Sequence, residues 1–196
     1  MKKPAILLLS LLGFALAAFA ASAERFSSTT GSAVKIEGTS TIHAWTMEGA
    51  TIQGEINSPT PDNWNAPAKA VVTIPVTSIK SEHTKMDKLM AEALKAKDHP
   101  QIRYEMLEAT PQNATAGAFV LKTRGRLTIA GVTKDVALDV QGVKGADGRY
   151  TLTGTAPIKM TAYGIKPPTA MLNTIKTGDD VKVTFRWVVE RVEQDR

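Results

Sequence analysis

Val181-Lys182-Val183-Thr184-Phe185-Arg186-Trp187-Val188-Val189-Glu190 decides how the rest of this chain is read. Val181, Val183, Phe185, Trp187 and Val189 alternate with Lys182, Thr184, Arg186, Val188 and Glu190. A period of two places successive side chains on opposite faces of a sheet, so the segment is a strand with one apolar and one mostly solvated face. Val120 to Ile129 has the same character, with Leu121, Leu127 and Ile129 set against Lys122, Arg124, Arg126 and Thr128. Gly131 marks a tight turn, after which Val136, Leu138 and Val140 alternate with Asp135, Asp139 and Gln141. Ala146-Asp147-Gly148 is a hairpin signal, and Tyr150, Leu152, Ala156, Ile158 and Met160 lie on the return strand. These three segments predict an antiparallel meander.

Shorter strands are expected at about 33–38, 40–47, 50–57, 68–75 and 102–109, with Pro59, Pro61 and Pro67 flanking a loop around Trp64. Residues 82–97 break the pattern. Met86, Leu89, Met90, Ala93 and Leu94 recur at helical spacing, with Lys85, Lys88, Glu92 and Lys95 on the other side. Ser81 is placed to cap this helix, and His99-Pro100 to end it. The chain thus reads as one mostly antiparallel all-β domain of eight or nine strands with one substantial helix. A sheet of that size, wet on one face, folds into a sandwich or closes into a barrel. An eight-stranded barrel can hold one small or slender ligand.

The 196 residues carry 24 Lys and Arg against 19 Asp and Glu, and no cysteine. One domain fits this length. Zero cysteine removes disulfides, thiol nucleophiles and every Cys-ligated metal or cluster. Lys2 and Lys3, the uncharged run Ile6–Ala20 and Ala21-Ser22-Ala23 have the form of a secretory signal peptide, with cleavage expected after Ala23. Without those two lysines the net charge falls from +5 to +3 over residues 24–196. The remaining cations are interleaved with acids, which argues against a nucleic-acid partner. The expected location is the periplasm of a Gram-negative bacterium, where disulfides are permitted but not required.

The sequence offers no serine elbow, no phosphate-cradling glycine loop before a helix and no catalytic constellation. His83 and Asp87 have metal-ligand spacing, but sit in a first helical turn where exposed polar residues are common. No metal and no cofactor is expected. His43, in Thr39-Ser40-Thr41-Ile42-His43-Ala44-Trp45, reads either as a hydrogen-bonded strand residue or as a polar group on a pocket rim. What remains is an exported barrel-like domain whose default role is to bind an apolar ligand. A barrel whose side chains fill its own core is the alternative.

Four stretches together resemble the YceI family of exported lipid-binding proteins. They are Gly38–Gly49, Met86–Ile102 (through Asp98-His99-Pro100-Gln101), Gly125–Val136 (Gly-Arg-Leu-Thr-Ile-Ala-Gly-Val-Thr-Lys-Asp-Val), and Met160–Ala170. Many relatives carry His-Asp-Trp where this chain has His43-Ala44-Trp45. The resemblance implies an extended, antiparallel, eight-stranded lipocalin-like barrel that holds a polyisoprenoid, or an isoprenoid-quinone-like amphiphilic lipid, and catalyses nothing. Transport, storage or protection of that lipid are all compatible with it. So are transient membrane contact and a homodimer sharing an edge or loop. A structural or stress-related periplasmic protein with a filled core and a lipid- or quinone-modifying enzyme are the alternatives.

On this reading Val181, Val183, Phe185, Trp187 and Val189 supply one wall of the channel, and Leu121, Leu127, Ile129, Leu138 and Val140 supply others. Met86, Leu89, Met90 and Leu94 close it from the helix, because flexible methionines suit a variable tail. Tyr163, Ile165 and Met171 form the mouth, and His43 and Trp45 meet the head group. For each aliphatic residue, ordinary core packing is the competing role.

Overall fold

The computed structural model describes residues 24–58, 69–115, 117–172 and 174–192; the expected leader, 1–23, and the loop around Trp64 lie outside them. The strands are β1 (Glu24–Ser28), β2 (Ala33–Ser40), β3 (Ala44–Gly49), β4 (Gln53–Ser58), β5 (Lys69–Pro75), β6 (Ile79–Lys80), β7 (Gln101–Ala114), β8 (Ala118–Ile129), β9 (Val132–Lys144), β10 (Tyr150–Lys159), β11 (Thr169–Ala170) and β12 (Ile175–Arg191). Among the described residues one α-helix, α1 (Thr84–Ala93), precedes β7.

These segments build one closed antiparallel barrel of eight staves. β1 and β2 pair with successive parts of β12, Ser28 opposite Val189 and Ala33 opposite Arg186, and so form one bent stave. The bend is a bulge. Ser32 fills the interrupted ladder, its hydroxyl accepting the Val188 amide at 3.0 Å and donating to Thr29 O at 3.2 Å. The Arg186 guanidinium donates to the Gly31 carbonyl across the same bulge. β3 and β4 form the second bent stave, pairing with β2 and β1 respectively. β5 and β6, joined by a 3-10 turn over Val76–Ser78, form the third. From there β7, β8, β9, β10 and β12 follow in order, and β12 returns to β1 and β2. The ring closes where β1 pairs with β12, and the branch β12–β2–β3–β6 ends on the two-residue β6, the short kind of edge that resists aggregation.

The expected period-two faces are the inner and outer walls. On β8, Phe119, Leu121, Thr123, Gly125 and Ile129 are buried while Lys122, Arg124 and Arg126 are exposed. The outer wall interleaves its charges. Glu37 lies 2.9 Å from Lys35 and 3.4 Å from Lys182, and Glu105 lies 3.4 Å from Arg126 and 3.8 Å from Arg103. Such exposed pairs contribute only about 0–1 kcal/mol each, so the inner wall carries the stability.

The turns are set by local chemistry. Ala130 and Gly131, at φ 49° and 83°, make the two-residue turn between β8 and β9. Gly148, at φ 80°, closes the hairpin between β9 and β10. The helix is shorter than the expected 82–97, because Lys95 enters the left-handed region at φ 51° and turns continue to Asp98. Ser81 does not cap it. Its amide and hydroxyl both donate to Asp87 Oδ1, at 2.7 and 2.8 Å, and His83 occupies the capping position without a side-chain bond.

Inside the barrel, rings lie over glycines on neighbouring strands. Phe119 faces Gly142, Phe185 faces Gly154, and Trp45 faces Gly38. A Cβ at Gly142 would fall 2.0 Å from the Phe119 ring, which is itself only 3 % exposed. Gly142→Ala therefore displaces a packed ring and is expected to destabilise the fold by about 1–3 kcal/mol. Gly117→Ala, where an added Cβ meets nothing within 4 Å, is the matched control with little change. Urea denaturation midpoints of the two variants check this.

Candidate functional site

The inner wall encloses a cavity of about 170 Å³. Its lining comes from all eight staves: Val34, Ile36, Ile52 and Ile56 from the first two, Ala70, Val72, Ile74 and Ile79 from the third, Ile102, Tyr104 and Met106 from β7. β8 adds Leu121, Thr123, Leu127 and Ile129, β9 Leu138 and Val140, β10 Leu152, Ala156 and Ile158, and β12 Val183, Phe185 and Trp187. Leu121 and Ile129 are eight residues apart on one strand, roughly 26 Å at the usual rise, so the lining follows the barrel lengthwise.

Three side-chain polar groups reach this wall, and each is satisfied within the protein. Thr123 Oγ1 donates to Leu138 O at 3.0 Å, so the Tyr104 hydroxyl, 3.1 Å from Thr123 Oγ1, is the donor of that pair. Burial pushes the Tyr104 phenol above its ordinary pKa, which keeps it protonated at neutral pH. Trp187 Nε1 donates to Ser28 Oγ at 2.7 Å, and Ser28 Oγ donates on to Gly54 O at 3.2 Å. The lumen therefore has apolar contact to offer and no charged anchor.

The two ends differ. At the end holding the β9–β10 hairpin, Phe26, Phe119, Tyr150 and Val189 are at most 3 % exposed. Phe26 and Tyr150 meet edge to face at 5.6 Å, and Phe119 lies 6.0 Å from Tyr150. This is a solid plug. The opposite end carries the 41–43 turn, α1, the Ala130-Gly131 turn and the 160–172 segment. There Met160, Tyr163 and Ile165 form a second apolar cluster with Ile129 and Ile158, and Ala93 and Leu94 of the helix segment pack on it. His99 lies against the Ala130-Gly131 turn: a Cβ at Gly131 would fall 2.5 Å from its Nε2.

A family model for the YceI-like domain matches residues 19–189. The chain belongs to the YceI-like family. No curated protein matches it. Among solved structures, Burkholderia cenocepacia BcnA superposes with a TM-score of 0.65 at 20% identity, over 80% of this chain and 95% of BcnA. A polyisoprenoid binding domain from Saccharophagus degradans, implicated in plant cell wall breakdown, gives 0.68 at 14% identity, over 85% of this chain and 98% of that one. At these identities the likeness is one of fold.

The YceI-like barrel distributes the sequence-derived site residues unevenly. Leu121, Leu127, Ile129, Leu138, Val140, Val183, Phe185 and Trp187 line the cavity. Val181 packs on the second apolar cluster, and Val189 is wholly buried in the plug. Tyr163 and Ile165 are not rim residues: both are 3 % exposed, because the 3-10 turn Met160–Tyr163 folds them inward. Met171 stands outside at 73 % exposure. On the helix, Met86 and Met90 are half-buried and Leu89 is exposed; none lines the cavity, and Leu94 reaches only the second cluster. His43 is exposed with Nδ1 2.7 Å from Ala44 O, and the Trp45 indole donates to Thr39 O at 3.0 Å while covering Gly38.

The lining residues absent from the sequence reading lie mostly on the three bent staves. Val71 and Val72 are adjacent, so alternation on β5 does not say which points inward. Thr123 and Tyr104 face inward as polar residues, against the pattern.

Two carboxylates pin the loops at the unplugged end. Asp87 is held below its ordinary pKa by the Ser81 amide and hydroxyl, and Asp179 by the Thr161 hydroxyl and amide. A folded-state pKa below the unfolded one gives stability that is complete above the ordinary carboxylate value and lost as pH falls through the lowered one. Acidification below about pH 4 should therefore lower the protection of the Ser81 and Thr161 amides, taken relative to the intrinsic exchange rate at each pH, before that of the central β8–β9 ladder, as exchange measured by NMR across a pH series would show.

Proposed function

We propose that this chain binds a polyisoprenoid or isoprenoid-quinone-like amphiphilic lipid in the barrel lumen, for transport, storage or protection, and catalyses no reaction. The observation that carries the reading is the lining: apolar on every stave, with its few polar groups already paired to one another or to backbone. Such a surface rewards a hydrocarbon tail and gives nothing to a charged substrate. The likeness in fold to a polyisoprenoid binding domain supports it.

The cavity has room for about a dozen water-sized groups, or two to three five-carbon prenyl units. At about 0.8 kcal/mol per buried methylene this gives roughly 8–12 kcal/mol gross, against association and ordering costs of about 4–15 kcal/mol. A tail of that length binds moderately. A longer one has to displace the Met160, Tyr163 and Ile165 cluster that packs the end opposite the plug before its head group can stay in solvent. In this reading the leader 1–23 is removed on export and the barrel works in the periplasm.

The direct test is mass spectrometry of an organic extract of the purified protein, paired with quenching of Trp187 fluorescence by a short-chain isoprenoid quinone. An extracted polyprenyl lipid and a saturable quench, lost in Trp187→Phe, are expected. Val183→Trp, which puts an indole into the lumen, should weaken quinone binding by about tenfold, read from an added bound extrinsic probe, with the fold intact by circular dichroism. Absence of both co-purifying lipid and quench would sink the reading and favour a filled core.

A further inference from the structure

Leu172, Met171 and Ile42 are the three most exposed large apolar side chains among the described residues, at 102 %, 73 % and 60 %. They lie on two loops at one end of the barrel, and hydrogen bonds join those loops. Thr41 N donates to Lys176 O at 3.0 Å, Thr41 Oγ1 to Thr174 O at 3.4 Å, and Lys176 N to Thr41 Oγ1 at 3.3 Å. Ile42 and Leu172 thus belong to one tip. Met171 and Leu172 also both take left-handed backbone, at φ 49° and 53°. For bulky residues this costs of order 1–3 kcal/mol each, and such strain gathers at functional positions. The turn is held by Thr174 N donating to Met171 O at 3.1 Å and by the β11–β12 ladder, while the Leu172 side chain is fully exposed.

The two tip segments themselves carry only cationic side chains, with Asp179, bonded to Thr161, and Asp180, paired with Lys159, just beyond them at the same end. Residues 38–47 and 160–178 contain no carboxylate, whereas Lys166 and Lys176 are exposed on the tip's own segment and His43 follows Ile42. Trp45, an aromatic ring with a polar edge, stands beside the 41–43 turn. Apolar side chains projecting beside the exposed Lys166 and Lys176, with the Trp45 indole near the 41–43 turn, match the boundary between acyl chains and anionic head groups. A protein partner would meet three side chains on a narrow tip, far less than a stable interface buries.

We propose that the tip carrying Ile42, Met171 and Leu172 inserts into the interfacial layer of an anionic phospholipid bilayer, setting the unplugged end of the lumen against lipid. The purpose of such contact rests on the lipid-binding reading; the contact itself does not.

The test uses the chain from Glu24, which contains the whole closed barrel, in co-sedimentation with phosphatidylglycerol-containing and with purely phosphatidylcholine vesicles. Sedimentation with the anionic vesicles, weakened by high salt, is expected. Ile42→Asp with Leu172→Asp should lower the bound fraction by about tenfold or more. Leu107→Asp, the same change at a strand residue 48 % exposed, should leave it unchanged. Wild type that stays in the supernatant, or a tip variant that sediments as well as wild type, overturns the proposal. So does a concentration-dependent dimer in sedimentation velocity that the tip variant abolishes, which assigns the tip to a second copy. Quinone quenching of Trp187 in the same samples separates the two readings: retained quenching without vesicle binding removes only the tip, and vesicle binding without quenching removes only the lumen ligand.

Discussion

The barrel depends on the two-sided pairing of β12. One edge of this strand runs beside β10 from Val189 opposite Tyr150 to Asp180 opposite Lys159, and the other is shared by β1 and β2. Without that second ladder the sheet would be an open meander with one edge of β12 and one edge of β1 unpaired and its apolar face wet. Closure converts one wet face into an interior, and hydrophobic burial then acts on every stave at once. It also needs curvature, which the bulge over residues 29–32 supplies: Ser32 takes the place of a ladder acceptor for Val188, so the bend leaves that amide satisfied.

Long strands with strict alternation were readable because one principle governed them. On β8, β9, β10 and β12 the side-chain period and the inside–outside division coincide, so the meander and its inner residues follow from the residues themselves. The bent staves were harder. β1 with β2, β3 with β4, and β5 with β6 each break where the chain turns a corner of the barrel, and alternation loses phase at a bulge. The helix was visible from its stripe, but its end was set by Lys95 and by the turns leading to His99.

For the site, periodicity separates inside from outside but not lumen from plug. Val189 and Trp187 lie on the same face of one strand. Trp187 lines the cavity and Val189 is packed against the aromatic rings that stop it. That distinction depends on position along the barrel axis, which only strand register supplies. The motifs had a different logic. His99 covers the Gly131 turn, a Cβ at Gly164 would fall 3.7 Å from Val132, and Trp45 covers Gly38. The second, third and fourth family-like stretches thus meet at the unplugged end, where irregular backbone has to fit side chains closely, and the first packs its own indole on its own glycine. They describe how that end is built more than what the lumen holds.

The plug of Phe26, Phe119, Tyr150 and Val189 makes the lumen a blind tube. Under the proposed lipid-binding role, an occupant would leave by the end it entered, and loading and unloading would share one rim.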